Sequence, residues 1–396
     1  MKILFLHRVW PVYGGGETVT ICLANEMVKR GIDVYVSYFH DSDPNLSAIF
    51  IDPRIKTYRI DNVSFNIYSK DFFVNKKESA YVSALIVKKI NELHIDIIHN
   101  QWWPVDFLKG VHDRTNAKII TCLHMDVDIR KVFNVDGIKQ KILNVFYPLY
   151  RKIEREKNLI KADKYYRLSD KFVFLSPAFR EKYRLFRSLN QDDSKLEYVY
   201  NPLVFSESIS EEDRGKKECT VLFVGRLLEN HKQIIRILYA WKKIQDSHCN
   251  DGWNLVLVGE GPDKQQYQDY VKLQKLKHVS FEGYQQPLKY YRAASIFCMT
   301  SAYEGLPMTL VEALQNGVVP VVMNSFDSLH DIVVNGENGV IVPDGDIDAF
   351  ANAMVKLMHD EVFRKRLSDN GIKSCLKFQV QEIVNKWEEI YKKIVR

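Results

Sequence analysis

Four side chains in the second half of the chain, Arg226, Lys232, Glu304 and Glu312, are of types that bind an anionic, hydroxyl-rich ligand. An arginine grips phosphate oxygens with two parallel hydrogen bonds, and a lysine adds a point charge. Carboxylates accept from vicinal hydroxyls, so two glutamates at this spacing suit a sugar and a ribose on one elongated ligand. Between them runs Gly305-Leu306-Pro307-Met308-Thr309-Leu310. Gly305 permits a sharp bend and Pro307 suits a first helical turn. The N–H groups from Gly305 to Leu310 then form a helix start, a ready site for a diphosphate.

These residues need elements to aim them. Val224-Gly225-Arg226-Leu227 reads as a buried strand running into a turn, which places the guanidinium at a sheet's carboxyl edge, where open α/β folds bind ligands. Val256-Leu257-Val258-Gly259-Glu260-Gly261-Pro262 reads the same way, and its glycines serve either close ligand approach or plain chain reversal. Apolar β-rich runs at 3–6, 34–38, 95–99, 118–122 and 172–175 alternate with helical patterns at 18–29 and 81–93. A second series follows at 219–224, 254–258, 279–281, 295–299 and 318–322. The alternation predicts an α/β fold of two doubly wound, Rossmann-like domains with parallel sheets. The polar stretch 206–217 is expected as the linker, which puts the domains at 1–202 and 203–378. Ile383, Trp387, Ile390, Tyr391 and Ile394 recur at helical spacing, so 379–396 is expected as a helix packed back on the first domain.

A length of 396 residues suits two domains, and 46% hydrophobic with 27% charged residues describes a globular chain. No apolar run approaches the ~20 residues of a membrane-spanning helix. The apolar opening breaks at His7-Arg8, which predicts a first strand rather than a signal peptide and a cytoplasmic location. Six cysteines without a C-x-x-C pair argue against a disulfide framework or a zinc site. The net charge of +6 does not imply nucleic acid, but it is unevenly spread. Between Arg130 and Arg187 basic residues outnumber acidic ones by more than two to one. Within 138–168 they accompany Ile138, Ile142, Val145, Phe146, Leu149 and Ile153, with Pro148 expected to kink the helix. Such a helix suits peripheral contact with the anionic inner face of the cytoplasmic membrane, where a lipid-linked acceptor would reside.

The first half offers fewer chemical groups. Gly14-Gly15-Gly16-Glu17 opens the first helix and exposes N–H groups there. It is not G-x-G-x-x-G, and no acidic residue ends the second strand, which excludes a nicotinamide-dependent dehydrogenase. His124 follows a buried strand and so lies at the ligand edge. Trp10, Tyr13, Trp102 and Trp103 sit on loops after strands, where aromatic faces can stack on acceptor sugars. Asp126-Val127-Asp128 is formally a D-x-D metal motif, but one that belongs to a different fold, so no metal is expected.

Taken in order, Gly225-Arg226, Lys232, Gly259-Glu260-Gly261-Pro262, Glu304-Gly305-Leu306-Pro307, Glu312 and Asn338-Gly339 resemble the retaining glycosyltransferases of family 4, which have the GT-B fold and an E-x7-E motif. The resemblance implies two domains facing across a cleft and a nucleotide-sugar donor, most often a UDP-sugar, used with retention and without a metal or other cofactor. The acceptor would be a glycan or lipid-linked glycan, in bacterial surface polysaccharide synthesis. It implies that Arg226 and Lys232 bind the donor diphosphate and that Glu304 and the amides of Leu306 to Thr309 meet the transferred sugar. Glu312 would hold the ribose, Gly15 and Gly16 would line the phosphates, and His124 would stand beside the donor sugar. Two positions depart from the pattern: Gln233 replaces the usual glycine after the lysine, and Met125 separates His124 from Asp126. A sugar-nucleotide epimerase of the same fold and a non-catalytic carbohydrate-binding subunit are the alternatives.

Overall fold

Most of the apolar runs become strands of two parallel sheets, one in each of two compact units. Met1–Val127, Glu156–Val204 and Phe378–Arg396 make the first unit; Asp128–Arg155 and Phe205–Lys377 make the second. The computed structural model describes residues 1–11, 15–41, 50–61, 76–101, 103–129, 138–205 and 209–395, of which 15–17, 76–78 and 138–145 are described for backbone alone.

Among the described residues seven strands form the first sheet, in the order Lys56–Arg59, Asp33–Tyr38, Lys2–Leu6, Ile97–Asn100, Lys118–Leu123, Lys171–Phe174 and Leu196–Tyr198. Every residue of Ile97–Asn100 and Lys171–Phe174 is buried, as a parallel sheet covered on both faces requires. The strand expected from residue 95 starts two residues later, because the Ile95 N–H is taken by Ile90 O at the end of the preceding helix, at 3.0 Å. Lys56–Arg59 lies at the sheet's edge with mostly exposed side chains, so no apolar run announced it. Val9–Trp10 pairs separately with His40–Asp41.

The C-terminal helix Val380–Val395 is part of this unit and buries Ile383, Val384, Trp387, Ile390 and Tyr391. Arg30, just past the first helix Gly15–Lys29, donates to Asn385 Oδ1 at 2.7 Å and to Glu388 Oε1 at 3.2 Å. Trp387 lies 4.5 Å from the His99 ring, and Tyr391 OH is 3.2 Å from His99 Nδ1.

The second sheet orders six parallel strands: Val279–Gly283, Asn254–Val258, Thr220–Val224, Ile296–Met299, Val319–Asn324 and Val340–Pro343. Its core gathers Val221, Phe223, Ile237, Trp241, Leu257 and Met354. The polar stretch expected as linker is not all exposed loop. Ser210 caps the turn Glu211–Arg214 by accepting from Asp213 N at 3.1 Å. The Lys217 amine is drawn inward to donate to Tyr291 O and Asn316 O, both at 2.7 Å, and burial lowers it to about 7. Charge-rich composition did not reveal that these carbonyls would need donors.

Candidate functional site

In the second sheet Thr220–Val224 lies beside Ile296–Met299, and the chain builds outward from these two strands in opposite directions. That reversal is a topological switch point, and ligands bind at the carboxyl ends of the strands flanking one. Both strands end there in loops that carry the expected residues, Gly225-Arg226 after one and Thr300 to Glu304 after the other. Arg226 is exposed, and among the described residues its guanidinium has no hydrogen-bond or ion-pair partner.

The loop under Arg226 is held by the neighbouring glycine turn. Gly225 N donates to Val258 O at 3.0 Å, Leu227 N to Glu260 O at 2.9 Å, and Asp263 N to Leu227 O at 3.2 Å. A Cβ on Gly259 would stand 1.9 Å from Gly225 O, and one on Gly261 would stand 2.1 Å from Leu227 O. The close approach these glycines permit is therefore to the backbone of the Arg226 loop.

Lys232 ends the short helix Glu229–Lys232, and Gln233 follows it in the left-handed conformation, φ 49 and ψ 46. That geometry explains why glycine is common at this place. Gln233 adopts it without glycine's freedom, so the turn survives the substitution. Lys232 Nζ donates to Glu304 Oε1 at 2.6 Å, and His231 Nε2 lies 3.7 Å from Glu304 Oε2. Burial pushes the Glu304 carboxyl up, but the Lys232 charge and His231 outweigh it and hold it at about 2. Glu312, also buried, has no such cation. Burial raises it to about 7, against a hydrogen bond from Tyr291 OH at 3.0 Å that lowers it.

The Glu304 loop is pinned from behind, since the Ser325 and Ser328 hydroxyls donate to Ser301 O and Gly305 O. Pro307 precedes the helix Met308–Gln315 without a side-chain cap. Leu310 is fully buried and its N–H goes to Pro307 O at 3.0 Å, so it drops out of the expected row of helix-start donors. Leu306 is buried, whereas Met308 and Thr309 are partly exposed.

The first sheet has its own switch point between Lys2–Leu6 and Ile97–Asn100. His7, Gln101 and, one strand further, His124 stand at that carboxyl edge. Thr20 donates to Gln101 Oε1 at 3.1 Å, so its oxygen accepts from His7 Nε2 at 3.0 Å. Burial lowers His124 to about 4, and burial with the neighbouring His124 lowers His7 and His99 to about 3. All three imidazoles are thus neutral near pH 7 and act as hydrogen-bonding groups, not cations.

The aromatic expectations need correction. Trp103 is 1% exposed, stacks on Phe39 at 5.0 Å and meets Phe107 edge-on; Trp10 is 2% exposed. Burial took both rings, so neither offers a face to an acceptor sugar. Tyr13, Gly14 and Trp102 lie outside the described residues, and Gly15 and Gly16 open the first helix. The D-x-D pair is spoken for: Asp126 pairs with Lys182, and Asp128 receives Arg151 Nε and Nη2 at 3.0 and 2.8 Å. Sequence reasoning missed His231 and Tyr291, the partners of the two glutamates. Adjacency to Lys232 was the only signal for the first, and nothing local pointed to the second.

Residues 13–204 match the family described as Glycosyltransferase Family 4, and residues 204–374 match Glycosyl transferases group 1. The chain is 29% identical, over 98% of its length and 97% of the relative's, to a Campylobacter jejuni protein named GalNAc-alpha-(1->4)-GalNAc-alpha-(1->3)-diNAcBac-PP-undecaprenol alpha-1,4-N-acetyl-D-galactosaminyltransferase. It is 25% identical, over 98% and 99%, to an amylovoran biosynthesis glycosyltransferase of Erwinia amylovora. Among solved structures, the lipopolysaccharide outer core galactosyltransferase WaaB in its apo form superposes with a TM-score of 0.69, at 19% identity, over 99% of both chains. Anabaena HepE in complex with UDP-glucose superposes with a TM-score of 0.71, at 18% identity, over 99% of this chain and 100% of that one. The fold is GT-B.

Proposed function

Because the chain belongs to the family 4 glycosyltransferases, we propose that it moves a hexose or N-acetylhexosamine from a UDP-sugar to a glycan or lipid-linked glycan in bacterial surface polysaccharide synthesis. The observation that carries this reading is the arrangement at the second sheet's switch point. An exposed arginine, a part-buried Lys232–Glu304 pair and a helix start without a side-chain cap occupy the loops of two adjacent strands. The C. jejuni relative acts, by its name, on an undecaprenyl diphosphate-linked glycan, which supports a lipid-linked acceptor. The HepE complex supports a UDP-sugar donor.

On this reading Arg226 and the Met308 and Thr309 N–H groups meet the diphosphate. As the bond from the anomeric carbon to the phosphate oxygen breaks, that oxygen keeps the electron pair, and these donors and Lys232 stabilise the growing charge. Those groups do the work a cation would do, so turnover proceeds without a metal. Glu304, held ionised, accepts from hydroxyls of the transferred sugar, and Glu312 accepts from the ribose. The family resemblance assigns Gly15 and Gly16 to the phosphates and His124 to the donor sugar. Retention follows from the family resemblance.

The acceptor's lipid suggests where the protein works. On the helix Ile138–Leu168, Phe146, Leu149, Ile153 and Ile160 are each about half exposed or more, and Lys152, Lys157, Lys161 and Lys164 are exposed beside them. Charge complementarity fits this face to anionic lipid on the cytoplasmic side. Among the described residues no helix is long and apolar enough to cross a membrane.

The test is nucleotide release from a panel of UDP- and GDP-sugars, with and without polyprenyl diphosphate-linked glycans, before and after EDTA. Acceptor-dependent release that survives EDTA is expected. A rearranged sugar released without acceptor would mean an epimerase, and no release from any donor would mean a binding subunit.

A further inference from the structure

His231 is given no contact with donor or acceptor in the reading above, yet it makes three contacts with the Glu304 loop. Its backbone oxygen accepts from Ala302 N at 2.7 Å. Its ring stacks on Tyr303, with centroids 4.3 Å apart and planes within 10°. Its Nε2 lies 2.9 Å from Tyr303 O, and since a carbonyl only accepts, that nitrogen carries the proton. The same N–H stands 3.7 Å from Glu304 Oε2, while Lys232 holds Oε1 at 2.6 Å.

The two contacts are not equivalent. Lys232 is a point charge on a flexible stem, so it attracts the carboxylate without fixing which way its plane faces. His231 is planar, locked by its stack, and bonded to the carbonyl just before Glu304. We propose that His231 is a positioning residue that sets the orientation of the Glu304 carboxylate, and so governs how the transferred sugar is held, without contributing to nucleotide binding. This rests on the donor-site reading given above. Its consequence is a separation of effects, because the sugar step depends on the imidazole N–H and the diphosphate step does not.

His231→Phe keeps a flat ring against Tyr303 and removes the N–H. His231→Gln places an amide nitrogen near the lost Nε2 and restores a donor. The measurements are UDP affinity by calorimetry, melting temperature, and kcat and KM for nucleotide release from the sugar nucleotide the wild type uses. His231→Phe is expected to lower kcat about tenfold to a hundredfold, the cost of a reacting group held slightly out of place. UDP affinity should stay within about twofold of wild type, and His231→Gln should recover most of the rate. Unchanged turnover in His231→Phe would overturn the proposal. So would a matching loss of UDP affinity and melting temperature, or a glutamine variant no better than phenylalanine. A wild type that turns over no UDP- or GDP-sugar would instead bring down the donor-site reading, and this inference with it.

Discussion

Glu304 and Glu312 show how neighbours decide what an identical side chain does. Lys232 keeps Glu304 ionised, whereas Glu312, whose side-chain partner among the described residues is Tyr291, holds a proton up to about 7. Lys232→Met leaves a buried carboxylate without its charged partner and is expected to destabilise the protein by about 3 kcal/mol near neutral pH. Adding Glu304→Gln should recover part of that loss, and chemical denaturation of both variants checks it. For Glu312 the sign runs the other way. Its folded value lies above the ordinary 4.5, so between those values the folded state holds a proton that the unfolded chain releases. That contribution is complete at acidic pH and is lost as pH rises through about 7. Glu312→Gln removes the loss. Relative to wild type it should gain stability as pH rises from 5 towards 8, by up to about 3 kcal/mol, and gain nothing at lower pH. A melting-temperature series across that range would show a flat difference if Glu312 were already ionised when folded.

At the scale of elements, the two glycine-bearing turns after adjacent strands act as one support. Gly259 and Gly261 let their turn lie against the Gly225–Leu227 backbone, and three hydrogen bonds join the loops. Gly261→Ala drives a methyl group into Leu227 O and must displace the loop that carries Arg226. UDP affinity is expected to fall about tenfold or more, together with stability. Gly215→Ala is the control, since its Cβ would clear Glu212 O at 3.4 Å and its φ of −70 suits any residue. Calorimetry on the two variants separates a local clash from a general intolerance of alanine. The glycine spacing was plain in the sequence, but the surface it packed against was not. Proximity of 225–227 to 259–261 depends on strand pairing between Thr220–Val224 and Asn254–Val258.

At the scale of the whole molecule, the first unit is assembled from both ends of the chain. Trp387 and Tyr391 of the last helix cover His99, and Arg30 ties that helix to the first. A chain ending at residue 377 would expose this apolar face. It is expected to lose one thermal transition while the second unit still melts cooperatively, as calorimetry can show. The basic helix makes a prediction at the same scale. Replacing Phe146, Leu149 and Ile153 with serine should abolish sedimentation with vesicles rich in anionic lipid and leave UDP binding unchanged. Vesicle binding that persists in this variant, or that ignores lipid charge, would rule out the proposed face.

The sequence by itself determined the α/β class, the alternation of buried strands and helices, and which residues are candidates for the donor site, because each of these is written in local order. Apolar runs mark strands, glycines mark turns, and Arg226, Lys232, Glu304 and Glu312 stand at fixed distances along one chain. Only the tertiary structure decided which groups meet: Lys232 with Glu304, Tyr291 with Glu312, His231 with the Tyr303 carbonyl. It also decided that Trp10 and Trp103 are buried, a choice that composition left open. The physical reason is common to all of these. Proton affinity, hydrogen-bond partners and burial are set by residues tens of positions away, brought near by sheet order and not by sequence spacing.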